Sequence, residues 1–431
     1  MTTKFTRRRV LTAVPGAAAA AALPAPYISG VARAASNDPI LIGVPTAQTA
    51  QAGVADHQDY LNGTTLAIEE INAAGGVLGR QLKTVVVDID PLSPESGQVA
   101  VNKLIDAKVH AMSCAFVFTP VPVADVSARY KAPFLWGLTQ RNFTDILSKS
   151  GDKYSHIFQT DPSEVHYGYT FPIFLKAMRD QGAWKPINNG VHIVQEQIAY
   201  NQTISKALQA ALPKSEFKLA GVTDIQYPVQ DWGWVIQEIK KIGAGAVMID
   251  HWVAAEYAAF VKQYSADPLN GTLVYLQYGP SQPEFLELSA GAAEGFVWST
   301  VLGVYADDKG KEFRAKYKKR FPGIMGLCYT GNGYDVTYYL KAAWEAVGDP
   351  SNFKGVCDWV RKTPYRGVCG YMSMNNALQE CAHYPDTGDA IGAKELEQGM
   401  AQLFFQVQNN EHKIIYPDIL RESALRKAPW W

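Results

Sequence analysis

Short apolar runs of strand length alternate with stretches of helical period along most of the chain. Residues 40–44 form such a run, and residues 64–74 repeat apolar side chains at helical spacing before Gly75-Gly76. Further strands are predicted at 84–89, 109–116, 133–138, 154–159, 191–195, 246–250, 273–276 and 403–408. Helices are predicted at 98–107, 120–130, 164–180, 201–212, 230–242, 253–265, 309–320, 331–347 and 352–362. This alternation predicts parallel sheets covered by helices on both faces.

The number of predicted strands favours two sheets over one. A single open sheet of this size would hold more strands than such sheets usually carry. Asp161-Pro162 is a plausible break, and the strand–helix rhythm restarts at Val191. We therefore expect an α/β protein of two doubly wound lobes.

The first 35 residues have the pattern of an export signal. Residues 10–32 are uncharged and rich in alanine, and they follow Arg7-Arg8-Arg9. Ala32-Arg33-Ala34 fits a signal-peptidase site, so we expect residues 1–34 to be removed by cleavage near Ala34/Ala35. The arginine pair before a weakly apolar core resembles a twin-arginine signal. A Sec signal or an uncleaved anchor is the alternative.

Charge argues against a nucleic-acid partner. Of the 40 Lys and Arg residues, five precede residue 36, so 35 remain against 41 acidic residues. An acidic body has no basic footprint for a phosphate backbone. After the signal, no stretch reaches the roughly 18 apolar residues of a membrane span.

The five cysteines lack the CxxC spacing of a zinc site or a redox pair. In an exported protein a structural disulfide is the natural interpretation. We expect one bridge among Cys357, Cys369 and Cys381, and Cys114 as a buried apolar side chain. Whether Cys328 takes part in pairing stays open.

Motifs for enzyme chemistry are absent from the sequence. It has no GxSxG elbow, phosphate loop, HExxH or deaminase motif. Gly243-Ala244-Gly245 is best interpreted as a helix-to-strand turn, and Asp88 with Asp90 as a strand-end cap. We therefore expect no cofactor, no metal and no enzymatic activity. A secreted hydrolase remains a remote alternative.

Aromatic residues cluster directly after the predicted strands. In open α/β sheets, ligands bind beyond the carboxyl ends of the strands. Thr119, Thr139 and helix N-terminal amides are candidate donors to an anion such as a carboxylate. Ordinary lobe core is the alternative for each ring. The candidate rings are Phe116, Phe118, Trp136, Tyr200, Trp252 and Tyr278.

Residues 66–80, LAIEEINAAGGVLGR, resemble the first-helix signature of the leucine/isoleucine/valine-binding family, the type I periplasmic substrate-binding proteins of ABC importers. The resemblance implies a periplasmic, monomeric solute receptor that works with ABC permease subunits. Further matches are Gly43-Val44-Pro45, Asp88 with Pro91, Val123-Ala124-Asp125, Ala292-Ala293-Glu294-Gly295-Phe296 and Gly333-Tyr334-Asp335.

The resemblance also implies a hinge that the chain crosses three times, near residues 160, 298 and 370. The expected lobes are 35–160 plus 299–370, and 161–298 plus 371–431.

The family clamps a small ligand between its lobes, which implies particular site residues here. Trp136-Gly137-Leu138-Thr139 resembles the family's Ala-Ala-Thr loop, so Leu138 and Thr139 are expected at the ligand, with Thr139 as a hydroxyl donor. Tyr200 resembles the closing-lobe tyrosine, and Tyr329 the tyrosine before a first-lobe helix. Ala55-Asp56-His57 stands where the family often has Gln-Tyr-Gly, which implies that His57 lies near the cleft mouth.

Two departures from the family pattern bear on the ligand. Phe116-Val117-Phe118-Thr119 replaces a serine-rich turn, and Tyr278 falls where the family has its ammonium-binding acid. A buried ammonium without a carboxylate is costly. We therefore expect an aromatic or apolar carboxylate as the ligand. A branched-chain amino acid is disfavoured unless Asp56 or Glu196 supplies the charge, and an amide or urea remains an alternative.

Overall fold

A computed structural model describes residues 38–229, 231–384 and 398–431. The predicted signal at 1–34 and its cleavage near Ala34/Ala35 lie outside these residues, so both stay predictions. Within the described ranges, the helices are all too short or too polar to cross a membrane.

Strands and helices alternate through most of the described chain. The strands are β1 Ile40–Thr46, β2 Leu82–Asp88, β3 Ala111–Cys114, β4 Phe134–Trp136, β5 Ile157–Gln159, β6 Gly190–Glu196, β7 Lys218–Ile225, β8 Ala246–Asp250, β9 Leu273–Gln277, β10 Val297–Thr300, β11 Tyr365–Arg366, β12 Tyr371–Met372, β13 Leu403–Gln408 and β14 Glu411–Tyr416. The helices are α1 Val54–Ala73, α2 Pro94–Asp106, α3 Pro120–Ser127, α4 Arg141–Lys149, α5 Val165–Asp180, α6 Ala199–Ala211, α7 Gly233–Ile242, α8 Ala254–Ala266, α9 Glu284–Ser289, α10 Asp308–Arg320, α11 Tyr329–Val347 and α12 Phe353–Lys362.

The first lobe contains a five-stranded sheet in the order β2-β1-β3-β4-β5, with all neighbours parallel. Helix α11 completes this lobe by packing closely on α1. At Gly63 an added Cβ would lie 1.9 Å from the Thr330 carbonyl oxygen, so only glycine permits this approach. The Thr64 hydroxyl donates to the Gly333 carbonyl at 3.3 Å. Residues that follow β10 therefore return to the first lobe.

The second lobe contains a seven-stranded sheet in the order β14-β13-β10-β9-β8-β6-β7. Strands β6 to β10 pair in parallel, whereas β13 runs antiparallel to β10 and to β14. The last segment of the chain thus supplies two strands of a sheet that began at β6.

The predicted fold class, two α/β lobes built on parallel sheets, is confirmed. The chain passes from the first sheet to the second after β5, returns after β10, and passes again before β13. The residue numbers given above for the lobes stay predictions. Cys381 N–H donates to the Gln159 carbonyl at 2.8 Å, which keeps this segment beside β5 and favours a third passage later than residue 370.

The expected disulfide is wrong, because all five cysteines are free and buried. The thiols of Cys328 and Cys381 contact oxygen acceptors instead: the Thr300 hydroxyl at 3.2 Å and the Tyr371 carbonyl at 3.7 Å. Cys357 is buried in α12, also as a free thiol. Cys114 is the buried apolar side chain that was expected.

Candidate ligand-binding site

The carboxyl ends of strands from both sheets enclose a cavity with two adjoining compartments. The inner compartment has an accessible volume of about 40 Å³ and the outer one about 230 Å³. They are adjacent, because four residues line both: Phe118, Gln140, Tyr200 and Trp252.

Seven aromatic side chains dominate the inner compartment, and they come from both lobes. Phe116 lies 5.6 Å from Phe118 and 5.5 Å from Tyr329 between ring centroids. Trp252 of the second lobe lies 5.0 Å from Phe118 of the first. Eight of the eleven residues predicted for the site line this compartment: Phe116, Phe118, Leu138, Thr139, Tyr200, Trp252, Tyr278 and Tyr329.

Hydroxyl groups from the two lobes meet at one side of the inner compartment. Thr139 Oγ1 lies 3.5 Å from the Tyr200 hydroxyl, which also accepts a hydrogen bond from Gln277 Nε2 at 3.1 Å. Because Gln277 donates to it, the Tyr200 hydroxyl can direct its own proton to another acceptor. This wall therefore offers hydroxyl donors to an anionic or carbonyl oxygen.

In the first lobe, the N-terminal amides of α3 and α4 offer few donors to an anion. The N–H of Gln140 donates to Gln159 Oε1 at 3.0 Å, and the N–H of Arg141 donates to Glu164 Oε2 at 2.7 Å. Helix α3 starts with Pro120 and has a second proline at 122, and proline has no N–H to donate. Side-chain hydroxyls are thus the principal donors on the wall of the first lobe.

Three predicted residues, His57, Thr119 and Trp136, line neither compartment. His57 is fully buried behind Phe116, at 4.8 Å between ring centroids, and not at the cleft mouth. Burial lowers the pKa of its imidazole to about 3, so it is neutral. Trp136 stacks on Phe143 at 5.3 Å in the first-lobe core. Thr119 precedes α3, and its buried hydroxyl has no hydrogen-bond partner in the part of the chain that the structure describes.

Three residues of the inner compartment were missed from the sequence. Leu302 follows β10, so the rule that ligands bind beyond strand ends points to it, but β10 itself was not predicted. Gln140 directly follows Thr139. Tyr167 lies in the first turn of α5, beyond the first passage between lobes, and no strand end marks it.

The outer compartment contains carboxyl groups and no basic side chain. Its remaining residues are Leu92, Asn142, Glu164, Glu196, Ile198, Ala199 and Tyr227.

Beneath Trp252, a buried histidine lies between two carboxylates. His251 Nδ1 lies 2.6 Å from Glu196 Oε2, and Nε2 lies 3.0 Å from Glu256 Oε2. Burial by itself lowers the pKa of His251, but the hydrogen bonds to both carboxylates outweigh it, so the pKa is raised. We call Glu196, His251 and Glu256 the buried triad.

Burial also changes the ionisation of the other carboxyl group on the outer compartment. It raises the pKa of Glu164 to about 8, so this side chain is mostly neutral at pH 7. Within the described residues, the buried triad included, no three His, Cys, Asp or Glu side chains are placed to hold a metal ion.

Two α/β lobes around an aromatic cavity define a receptor for a small solute. The sequence profile of the family described as periplasmic binding protein matches residues 39–383, and the chain belongs to this family. Membership of this family makes the chain a periplasmic binding protein for a small solute.

Individual relatives agree with this assignment. An amino acid binding protein of Pseudomonas aeruginosa is 23% identical over 357 residues, which cover 81% of this chain and 89% of that protein. The crystal structure of a putative branched-chain amino acid ABC transporter from Silicibacter pomeroyi is 26% identical, with a TM-score of 0.83, and covers 91% of this chain and 100% of that one. A solute binding protein from Rhodopseudomonas palustris in complex with 3,4-dihydroxy benzoic acid is 15% identical, with a TM-score of 0.69, covering 91% and 99%.

Proposed function

We propose that the protein captures a small aromatic or apolar carboxylate between its lobes and delivers it to the permease. The observation that carries this proposal is the inner compartment, in which seven of eleven lining residues are aromatic. Ring–ring contacts add roughly 0.5–1.5 kcal/mol per pair beyond the burial of apolar area. The predicted site residues of this compartment would contact the ligand directly.

The hydroxyls of Thr139 and Tyr200 would receive the carboxylate. They belong to opposite lobes and lie 3.5 Å apart, so one oxygen-bearing group can bond to both and favour closure. A protein of the same fold encloses 3,4-dihydroxy benzoic acid, which supports the capacity of this fold for aromatic acids.

An amino acid is the second candidate, and Glu196 favours it. One carboxylate oxygen of Glu196 bonds to His251, and the other makes no hydrogen bond with the described residues. Glu196 lines the outer compartment and would receive an ammonium group there. Asp56 does not serve this role, because both its oxygens already accept hydrogen bonds.

Three further parts of the proposal rest on the sequence. The protein is exported by the twin-arginine route and cleaved near Ala34/Ala35, it acts as a monomer, and its lobes change near residues 160 and 298 as predicted, with the third change later than residue 370. The predicted signal, residues 1–34, lies before the first residue that the structure describes.

A matched pair of probes distinguishes the two ligand classes. 3-Phenylpropionate and phenylalanine share the ring and the carboxylate but differ in the ammonium group. We expect 3-phenylpropionate to raise the melting temperature more than phenylalanine. A ligand at 100 times its Kd stabilises the folded state by about 2.7 kcal/mol, so the shift is measurable. Benzoate, leucine, benzamide and urea complete the thermal-shift panel.

Titration calorimetry with Glu196→Gln tests the alternative. If phenylalanine or leucine alone shifts the melting curve, and Glu196→Gln abolishes that shift, the amino-acid candidate replaces the carboxylate. If only benzamide or urea binds, both candidates are wrong.

A further inference from the structure

Asp56 connects the two lobes through both of its carboxyl oxygens. It lies in the first turn of α1, in the first lobe, and is fully buried. Oδ1 accepts a hydrogen bond from the Tyr278 hydroxyl at 2.5 Å, and Oδ2 accepts one from Gln282 Nε2 at 2.6 Å. Both donors follow β9 in the second lobe. A single side chain therefore makes two short hydrogen bonds across the cleft.

The second-lobe side of this contact is itself held in place. Gln282 Oε1 accepts from the N–H of Ala254, the first residue of α8, at 2.9 Å. The Tyr278 N–H donates to the Ser299 carbonyl at 3.2 Å. Asp56 is thus connected to α8 and, through Tyr278, to the edge of β10.

Tyr278 adopts a backbone conformation that needs support. Its φ of 54° and ψ of −56° are rare for a residue with a bulky side chain, and such residues persist where their surroundings hold them. Its ring lines the inner compartment. The hydrogen bond from its hydroxyl to Asp56 fixes the far end of this ring, so Asp56 shapes the ligand cavity without lining it.

The surroundings of Asp56 favour its neutral form. Burial raises the pKa of this carboxyl to about 7, against the hydrogen bonds from Tyr278 and Gln282, and Glu284 of α9 raises it further. Asp59 lies one turn along α1, and its own pKa is raised well above the usual value. Cys328 and Tyr329, at the start of α11, are neutral because burial raises the pKa of each.

We propose that Asp56 is a positioning residue that latches the lobes closed by binding Tyr278 and Gln282. In the open cleft the second lobe withdraws, and water solvates the Asp56 carboxylate. Closure then transfers it into a site where the protonated form is favoured, so closing takes up a proton.

The sign of the pH effect follows from this uptake. The closed-state pKa is about 7, and an ordinary aspartate in the open state titrates near the usual 3.8. The contribution of protonation to closure is complete below the open-state pKa and is lost as the pH rises through about 7. Between these values, the ratio of closed to open molecules falls by up to about tenfold per pH unit.

The test measures closure directly and needs no ligand, so its failure leaves the proposed ligand class untouched. Spin labels are placed at Lys103→Cys in α2 and Lys206→Cys in α6, one exposed position on each lobe. The five native cysteines are buried, so the labels go to the new thiols. Pulsed dipolar spectroscopy then gives the closed and open populations from pH 5.5 to 8.

Three substitutions distinguish loss of the contact between the lobes from a general loss of folding. Asp56→Ala removes both cross-lobe bonds, and we expect at least about a tenfold lower ratio of closed to open molecules. Tyr278→Phe keeps the ring and removes one bond, so we expect a smaller fall. Asp59→Ala is the matched control, because this buried carboxyl accepts from Tyr317 of α10 within the first lobe.

Asp56→Asn tests whether protonation of Asp56 causes the pH dependence of closure. The amide is permanently neutral and can still accept from Gln282 and donate to Tyr278, so we expect closure that no longer depends on pH. The proposal is overturned if Asp56→Ala closes as wild type does, or if Asp59→Ala opens the cleft equally. The proposal is also overturned if the closed population of Asp56→Asn depends on pH in the same way as that of the wild type.

Discussion

The two walls of the cleft are both aromatic but differ in what lies behind them. The first-lobe wall includes Phe116, Phe118, Leu138, Thr139 and Tyr329, and the neutral imidazole of His57 lies behind Phe116. The second-lobe wall, Tyr200 and Trp252 with Tyr278, lies in front of the buried triad.

Because of this difference, substitutions in the two walls should change the free energy of unfolding in different ways. Apolar contacts of the first-lobe wall change gradually as side chains are trimmed. Buried charges of the triad depend on one another, so removing one member leaves the rest uncompensated. We expect substitutions behind the second-lobe wall to affect folding first and ligand affinity second.

The largest expected effect comes from His251→Ala. It leaves Glu196 and Glu256 as neighbouring carboxylates without a cation, which costs about 3–5 kcal/mol of unfolding free energy. Urea denaturation measures this loss. His192→Ala in β6 is the control, since the one hydrogen-bond partner of this buried imidazole among the described residues is the Thr223 hydroxyl.

The pH dependence of the same variant adds a second readout. Because the folded-state pKa of His251 is raised, its contribution is complete below the unfolded value near 6.5 and is lost as the pH rises through the folded value. The difference in unfolding free energy between wild type and His251→Ala should therefore become smaller at alkaline pH. Equal losses for His251→Ala and His192→Ala would contradict the charge network.

Trp252→Ala tests the aromatic part of the second-lobe wall. This ring lines both compartments and contacts Phe118, so we expect 3-phenylpropionate to bind more weakly by about 2 kcal/mol. Titration calorimetry measures the change. Trp234→Ala, at an exposed tryptophan of the same lobe, should leave the affinity unchanged.

Thr139→Ala tests the hydroxyl of the first-lobe wall. Loss of a hydrogen bond to a charged carboxylate should weaken binding of 3-phenylpropionate by about 1.5 kcal/mol. Thr119→Ala is the matched control, because that hydroxyl lies outside the cavity and has no partner. Equal affinities for the two variants would place the carboxylate elsewhere.

The smallest effect is expected from Glu164→Gln, which tests the neutral carboxyl of the outer compartment. The pKa of Glu164 is about 8 in the folded protein and about 4.5 in the unfolded chain, so the stabilisation from its protonated form is complete below pH 4.5 and is lost by about pH 8. Between pH 6 and 7, wild type should lose about 1 kcal/mol of stability relative to the variant. If the unfolding free energies of wild type and Glu164→Gln changed with pH in parallel, Glu164 would already be charged in the folded protein.

Element types were predictable where the hydrophobic period was clear. β13 was predicted with its bounds, and α10, α11 and α12 within two residues. Helix α1 begins ten residues before the predicted start, because its first turns carry polar side chains that are buried by other segments. Strand β7 was missed, since it lies at a sheet edge and several of its side chains are exposed.

Site residues were predictable where a strand end points at the cleft. Phe116, Trp252 and Tyr278 follow strands β3, β8 and β9, and all three line the inner compartment. The buried triad was not predicted, because its pairing depends on side chains 55 residues apart in sequence. The same holds for the contact of Asp56 with Tyr278, 222 residues away.

The antiparallel addition of β13 to β10 has a consequence for synthesis on the ribosome. The second sheet cannot be completed until residues 403–416 have left the exit tunnel, although its first strand starts at Gly190. The first lobe waits for α11 in the same way. Nearly the whole polypeptide must therefore be made before either half of the binding cleft is finished, and a nascent chain stalled before residue 403 exposes the edge of β10 to non-native pairing.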